Sequence, residues 1–168
     1  MATLDANACL CGLPFQPEMF AWCGRRMLVG KSAHKTCDTI RKTGGRRMRD
    51  AVHLEGARCD GAAHGGCQAD CVFFWNEAWL RRADDSAQAV KQAAICSEQM
   101  VFQATRAPGA EHDADPAWVC QTTALFEAST PLKWWDVRQY IKDVASRNHS
   151  ARHMAKILLA AAYRSSLR

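Results

Sequence analysis

Arg58-Cys59-Asp60-Gly61-Ala62-Ala63-His64-Gly65-Gly66-Cys67-Gln68-Ala69-Asp70-Cys71, with Val72-Phe73-Phe74-Trp75 directly after it, is the stretch of this sequence on which its architecture turns. It sets three thiols and an imidazole among three glycines and ends against an aromatic, β-branched run. A metal ion needs thiolates or imidazoles at roughly 2.0–2.3 Å from one point, and glycines let a short loop bend around it. The aromatic run reads as a strand. A ligand-bearing loop set into a β-rich half is the expectation. Were the end of the loop helical, His64, Cys67 and Cys71 would share one face, but Gly65 and Gly66 argue against helix before Cys67. Cys67 and Cys71 are therefore the two thiols expected to converge most readily.

The chain carries nine cysteines, at 9, 11, 23, 37, 59, 67, 71, 96 and 120, an odd number that cannot pair completely within one chain. Met1 to Leu10 has neither the basic start nor the apolar core of a secretory signal, so a reducing cytoplasmic setting is expected. Metal binding becomes the first explanation for so many thiols. Cys37 is the expected fourth ligand, since Lys35-Thr36-Cys37-Asp38 is polar and basic rather than an apolar stripe. The result is C-x21-C-x7-C-x3-C, formed by Cys37, Cys59, Cys67 and Cys71, with His64 as a further candidate ligand. Cys120 is the reserve. Cys23 beside Trp22 and Cys96 beside Ile95 read as small buried hydrophobes, and Cys9 and Cys11 flank an N-terminus expected to be loosely held.

Two centres remain open. Structural zinc sites usually show two C-x2-C knuckles, and this sequence has none, whereas iron–sulfur clusters accept irregular cysteine spacing. An iron–sulfur cluster is the expected cofactor and zinc the alternative; the bland reading is reduced thiols filling the core. For His64 the bland reading is a solvated side chain in a glycine loop, and for His53 a place in the core or at its rim.

Cys59-Asp60-Gly61-Ala62-Ala63-His64 resembles in part the CDGSH signature of small iron–sulfur proteins, a resemblance that implies a [2Fe–2S] cluster held by three cysteines and a histidine. This chain departs from it by one extra residue before the histidine and by two further cysteines just downstream. The longer pattern Arg58-Cys59-Asp60-Gly61, His64-Gly65-Gly66-Cys67 and Cys71, with Glu77-Ala78-Trp79-Leu80 after it, is similar to a group of uncharacterised bacterial proteins. That resemblance spans residues 8–82 and implies no activity.

Outward from the loop, residues 1–82 read as β-rich. Met27-Leu28-Val29, Ala51-Val52-His53-Leu54 and Val72–Trp75 are strand candidates, Trp79-Leu80 a further short piece, and Thr43-Gly44-Gly45 a turn. A small twisted sheet or SH3-like barrel fits them. Residues 83–168 read as helical. Asp84-Asp85-Ser86 caps a helix carrying Val90, Ala94 and Val101, ended by Pro108-Gly109, and residues 106–117 form a linker loop. Thr130-Pro131 offers a cap and an N1 proline to a helix whose buried stripe would be Trp134, Val137, Ile141 and Val144. A last helix follows Ser150, with Met154, Ile157, Leu158 and Ala161 on its apolar face. The expected class is α+β, the two halves packed as one unit.

With 48% hydrophobic and 23% charged residues, the composition is that of a folding globular chain. The run Ile157 to Tyr163 is far short of a membrane span. No phosphate loop, dinucleotide fingerprint, G-x-S-x-G elbow or H-E-x-x-H zinc motif occurs. A cysteine nucleophile, Cys67 with His53 or His64, is one further class. A basic interaction module for RNA or a protein is another, through Arg41-Lys42-Thr43-Gly44-Gly45-Arg46-Arg47-Met48-Arg49, although the bland reading of that run is a solvated hairpin flank. Trp135, off the expected helix stripe, is a candidate for a partner surface. The net charge of +5 divides into basic flanks around an acidic middle, which suits self-association of the segments. The expected partner is accordingly a protein or small molecule, without specific nucleic-acid binding and without a membrane.

Overall fold

A computed structural model describes residues 3–83, 96–108 and 117–166. Its strands are β1 (Cys9–Leu10), β2 (Leu13–Pro14), β3 (Val29–Ser32), β4 (Lys35–Asp38), β5 (Gly44–Met48), β6 (Ala51–Leu54), β7 (Trp75–Asn76) and β8 (Ser129–Pro131). Its helices are α1 (Glu98–Ala104), α2 (Gln121–Ala124), α3 (Arg138–Ala145) and α4 (Ala151–Ser166), and 3-10 turns cover Pro17–Trp22, Ala62–His64 and Glu77–Trp79. Sheets lie mostly in the first half and helices in the second, so the class is α+β.

The strands pair antiparallel as β1-β2, β3-β6-β7 and β4-β5-β8. In place of one twisted sheet or SH3-like barrel, the described residues form three short sheets, joined where Ala33 donates its N–H to Ala51 O at 2.7 Å and Met48 to His34 O at 3.0 Å. Strand β6 occupies the predicted Ala51–Leu54. The Val72–Trp75 run is mostly buried, with ladder pairing from Trp75 onward. The reason is Gln121: its Oε1 accepts from Phe74 N at 2.9 Å and its Nε2 donates to Phe74 O at 3.0 Å, doing a neighbouring strand's work with a side chain. Trp79 closes a 3-10 turn rather than a strand.

One core gathers Phe15, Met19, Val52, Leu54, Phe73, Trp75, Cys96 and Val101; a second gathers Leu13, Met48, Ala51, Phe74 and Leu125. Aromatic rings link the pieces, Phe20 stacking on Phe102 at 5.9 Å and Phe102 meeting Trp118 edge-on at 5.4 Å.

Several expectations are corrected. Ser97 is an extended N-cap whose hydroxyl accepts from Met100 N, so α1 starts afresh at Glu98 rather than continuing from a cap at 84–86. Val90 and Ala94, and most of the linker, lie outside the described residues. Thr130-Pro131 belongs to β8, not to a helix start: an edge strand has no use for the N–H that proline lacks. The helix begins at Arg138, and Trp134, Val137 and Ile141 face solvent at 75%, 63% and 66% exposure. Cys23 is exposed, whereas Cys9 is tied into β1. Arg46 is no solvated flank. It is buried over the Phe126 ring and donates to Ser129 Oγ, Phe126 O and Ser129 O. Among the described residues no helix is long and apolar enough to cross a membrane.

Candidate metal centre

The Arg58–Val72 bridge and the Cys59 N to Cys71 O hydrogen bond, 2.8 Å, close the base of the glycine loop. Gly61 opens it in the left-handed region at φ +76°, where the Gly61 carbonyl accepts from both His64 N and Gly66 N. The resulting 3-10 turn, Ala62–His64, carries the imidazole back over Cys59. The first 3-10 turn, Pro17–Trp22, is anchored by buried Met19 and supplies Glu18 from the other side.

The Glu18 carboxylate, Cys59 Sγ and a His64 ring nitrogen all lie within 4.8 Å of one another. This is the one convergence of three or more such donors among the described residues. The Cys59 residue is 8% exposed, and the His64 and Glu18 side chains 7% and 20%. His64 Nδ1 is 2.9 Å from Trp118 O, a carbonyl that only accepts, so Nδ1 carries the proton. Its Nε2 lies 2.7 Å from Glu18 Oε1, within ion-pair distance. Neither that nitrogen nor either Glu18 oxygen has a partner in hydrogen-bonding geometry. An imidazole nitrogen, a carboxylate and a thiol so close together are a set that could hold a cation, and a carbonyl on the far imidazole nitrogen is the usual orienting partner of a metal-bound histidine.

Burial pushes the Cys59 thiol up; the Gly61 amide bonded to it lowers it, while Glu18, Cys120 and Asp60 raise it further by like charge. The thiol thus stays protonated until a positive charge arrives beside it.

Of the five predicted ligands the fold brings together Cys59 and His64. Cys37 is exposed on β4, held opposite Gly45 by the β4–β5 ladder. Cys67 is exposed beyond the left-handed pair Gly65-Gly66, its carbonyl turned under Gly61. Cys71 is half-buried, and Thr122 Oγ1 reaches its sulfur at 3.9 Å. The reserve residue Cys120 is close enough to raise Cys59. For the alternative pairing of Cys67 with a histidine base, Nδ1 of His64 is taken by Trp118 O and Nδ1 of His53 by Phe73 O at 2.9 Å, which leaves Nε2 as the basic nitrogen of each ring. Glu18 escapes sequence reasoning: an acid in the first turn of a helix after Gln16-Pro17 reads as a dipole partner, and no local pattern ties it to Cys59.

Comparison with protein-family models, with curated proteins and with solved structures yields no match for this chain.

Proposed function

We propose that the protein is a metal-stabilised binding module whose centre is a single ion held by Cys59, His64 and Glu18. The observation that carries this reading is the convergence of the Glu18 carboxylate, a His64 ring nitrogen and the buried Cys59 thiol within 4.8 Å of one another. One thiolate, one imidazole and one carboxylate are a donor set suited to zinc, whereas an iron–sulfur cluster draws on about four thiolates. Zinc is therefore favoured over the cluster expected from the cysteine count. Cys120, close enough to act on Cys59 electrostatically, is the candidate fourth ligand.

The role is structural. The three donors and Trp118 O come from three remote segments, and the ion would supply the charge that holds their buried polar atoms together. The reducing cytoplasm, where thiols stay free, is the compartment this chemistry suits.

The test is metal analysis and a visible spectrum of anaerobically purified protein. One colourless zinc per chain is expected, lost in Cys59→Ser and in His64→Gln and retained in Cys37→Ser/Cys67→Ser. Metal removal should cost roughly 3 kcal/mol, or about 6–12 °C in Tm, because the ion's bonds to three remote donors are lost. Brown protein with absorption near ~400 nm that disappears in Cys37→Ser/Cys67→Ser would return the centre to a cluster. Metal-free protein with unchanged stability in Cys59→Ser would end the metal reading altogether.

A further inference from the structure

Helix α3 is set into the molecule the reverse way round, with apolar Val137 and Ile141 in solvent and Asp143 completely buried. Asp143 Oδ2 meets Lys35 Nζ, and its Oδ1 lies 3.3 Å from His34 Nε2. Asn148, just beyond the helix, clamps the Ser32 backbone, accepting from its N–H at 2.9 Å and donating to its carbonyl at 2.7 Å. The polar face of α3 is thus held against β3 and β4, and a cavity of about 200 Å³ remains beneath it.

That cavity is lined by His34, Arg47, Leu132, Arg138, Gln139 and Lys142: three cations and no acid. The Lys142 ammonium has no ion-pair or hydrogen-bond partner among the described residues; its backbone carbonyl accepts from Ser146 N. Arg47 and Arg138 share Asp136, which uses one nitrogen of Arg47 and two of Arg138 and leaves the rest of each guanidinium's donors free. His34 is 3% exposed, its Nε2 3.3 Å from Asp143 Oδ1 and its Nδ1 3.3 Å from Ser32 Oγ. The same two arginines also border an open groove of about 590 Å³ flanked by Pro131, Lys133, Trp135, Val137 and their shared partner Asp136, with Trp135 60% exposed.

We propose that this cavity binds the phosphoryl head of a small organic phosphate through Arg47, Arg138 and Lys142, with the flat body of the ligand lying along Trp135 in the adjoining groove. Three cations converging from a strand and a helix match a tetrahedral dianion, whereas a carboxylate would be satisfied by one arginine fork. A half-open recess of about 200 Å³ takes one phosphoryl group rather than a run of backbone phosphates, which favours a small molecule over RNA. The site stands apart from the metal centre and does not rest on it.

The experiment is calorimetric titration of the full-length, metal-replete protein at physiological salt with phenyl phosphate, inorganic phosphate and benzoate. Phenyl phosphate should bind saturably and about tenfold more tightly than inorganic phosphate, with benzoate weaker than both. Lys142→Ala should weaken phenyl phosphate about tenfold, and Trp135→Ala should reduce it to the level of inorganic phosphate. Both side chains are exposed, so both variants keep the fold, which circular dichroism checks. No saturable heat with any probe, or unchanged affinity in Lys142→Ala, overturns the site. Displacement of phenyl phosphate by single-stranded RNA at lower concentration overturns the small-molecule occupant.

Discussion

Gly61 sits at φ +76°, and a Cβ added there would lie 1.7 Å from the Cys67 carbonyl oxygen. Gly65, four residues on, is also left-handed at φ +65°, yet a Cβ there would meet nothing within 4 Å. An alanine in this region costs roughly 1–2 kcal/mol from backbone sterics alone. Gly65→Ala should therefore lose about 1 kcal/mol, while Gly61→Ala, which must also push the Cys67 backbone aside, should lose about 3 kcal/mol or more. Urea unfolding of the two variants separates them, and equal losses would mean that the loop is not folded over Gly61. The sequence marks both glycines as loop formers. It does not say which one lies under a carbonyl, because that depends on how the chain returns through Cys67 and Cys71.

At the scale of elements, α3 shows how a good local signal can be outvoted. Trp134, Val137 and Ile141 recur at helical spacing, and such a stripe usually packs inward. Here the inward position goes to Asp143, which binds Lys35, while exposed Arg138 joins Arg47 through Asp136 at the helix start. A side chain already two-thirds exposed has little burial to lose. Ile141→Gln should therefore change stability by no more than about 0.5 kcal/mol, and Leu132→Ala, truncating a residue 8% exposed, should cost about 2–3 kcal/mol. Thermal unfolding of the pair checks this. A loss at Ile141 as large as that at Leu132 would show that α3 packs by its apolar stripe after all.

For the whole molecule, buried imidazoles set the response to acid. Burial is the main cause that lowers His34 below its usual 6.5; Lys142 and Lys35 add to it, while Asp143 and the Gln139 backbone oppose it. Burial likewise lowers His53, with a small push from Lys31 and an opposing hydrogen bond to Phe73. In both cases the unfolded chain takes up the proton first, so stability is whole above pH 6.5 and declines as pH falls from there toward the folded values. Denaturation midpoints should fall between pH 7 and pH 5. His53→Asn, which leaves Glu18, Cys59 and His64 in place, should flatten part of that slope; an unchanged slope would assign the acid sensitivity elsewhere.

The sequence by itself determined the α+β class, strand β6, the final helix after Ser150, and the glycine loop with Cys59 and His64 as chemically loaded residues. These are local properties: side-chain alternation, caps and the backbone freedom of glycine act over a few neighbours and can be read in order. Only the tertiary structure decided that Glu18 completes the trio, that Cys37 and Cys67 stand outside it, and that Gln121 takes a strand's place beside Phe74. It also decided that Thr130-Pro131 joins a sheet edge and that α3 turns its polar face inward. Each of those outcomes rests on pairing between residues remote in the chain. Buried donors and acceptors take whatever partner the fold brings within reach, and spacing along the sequence does not encode it.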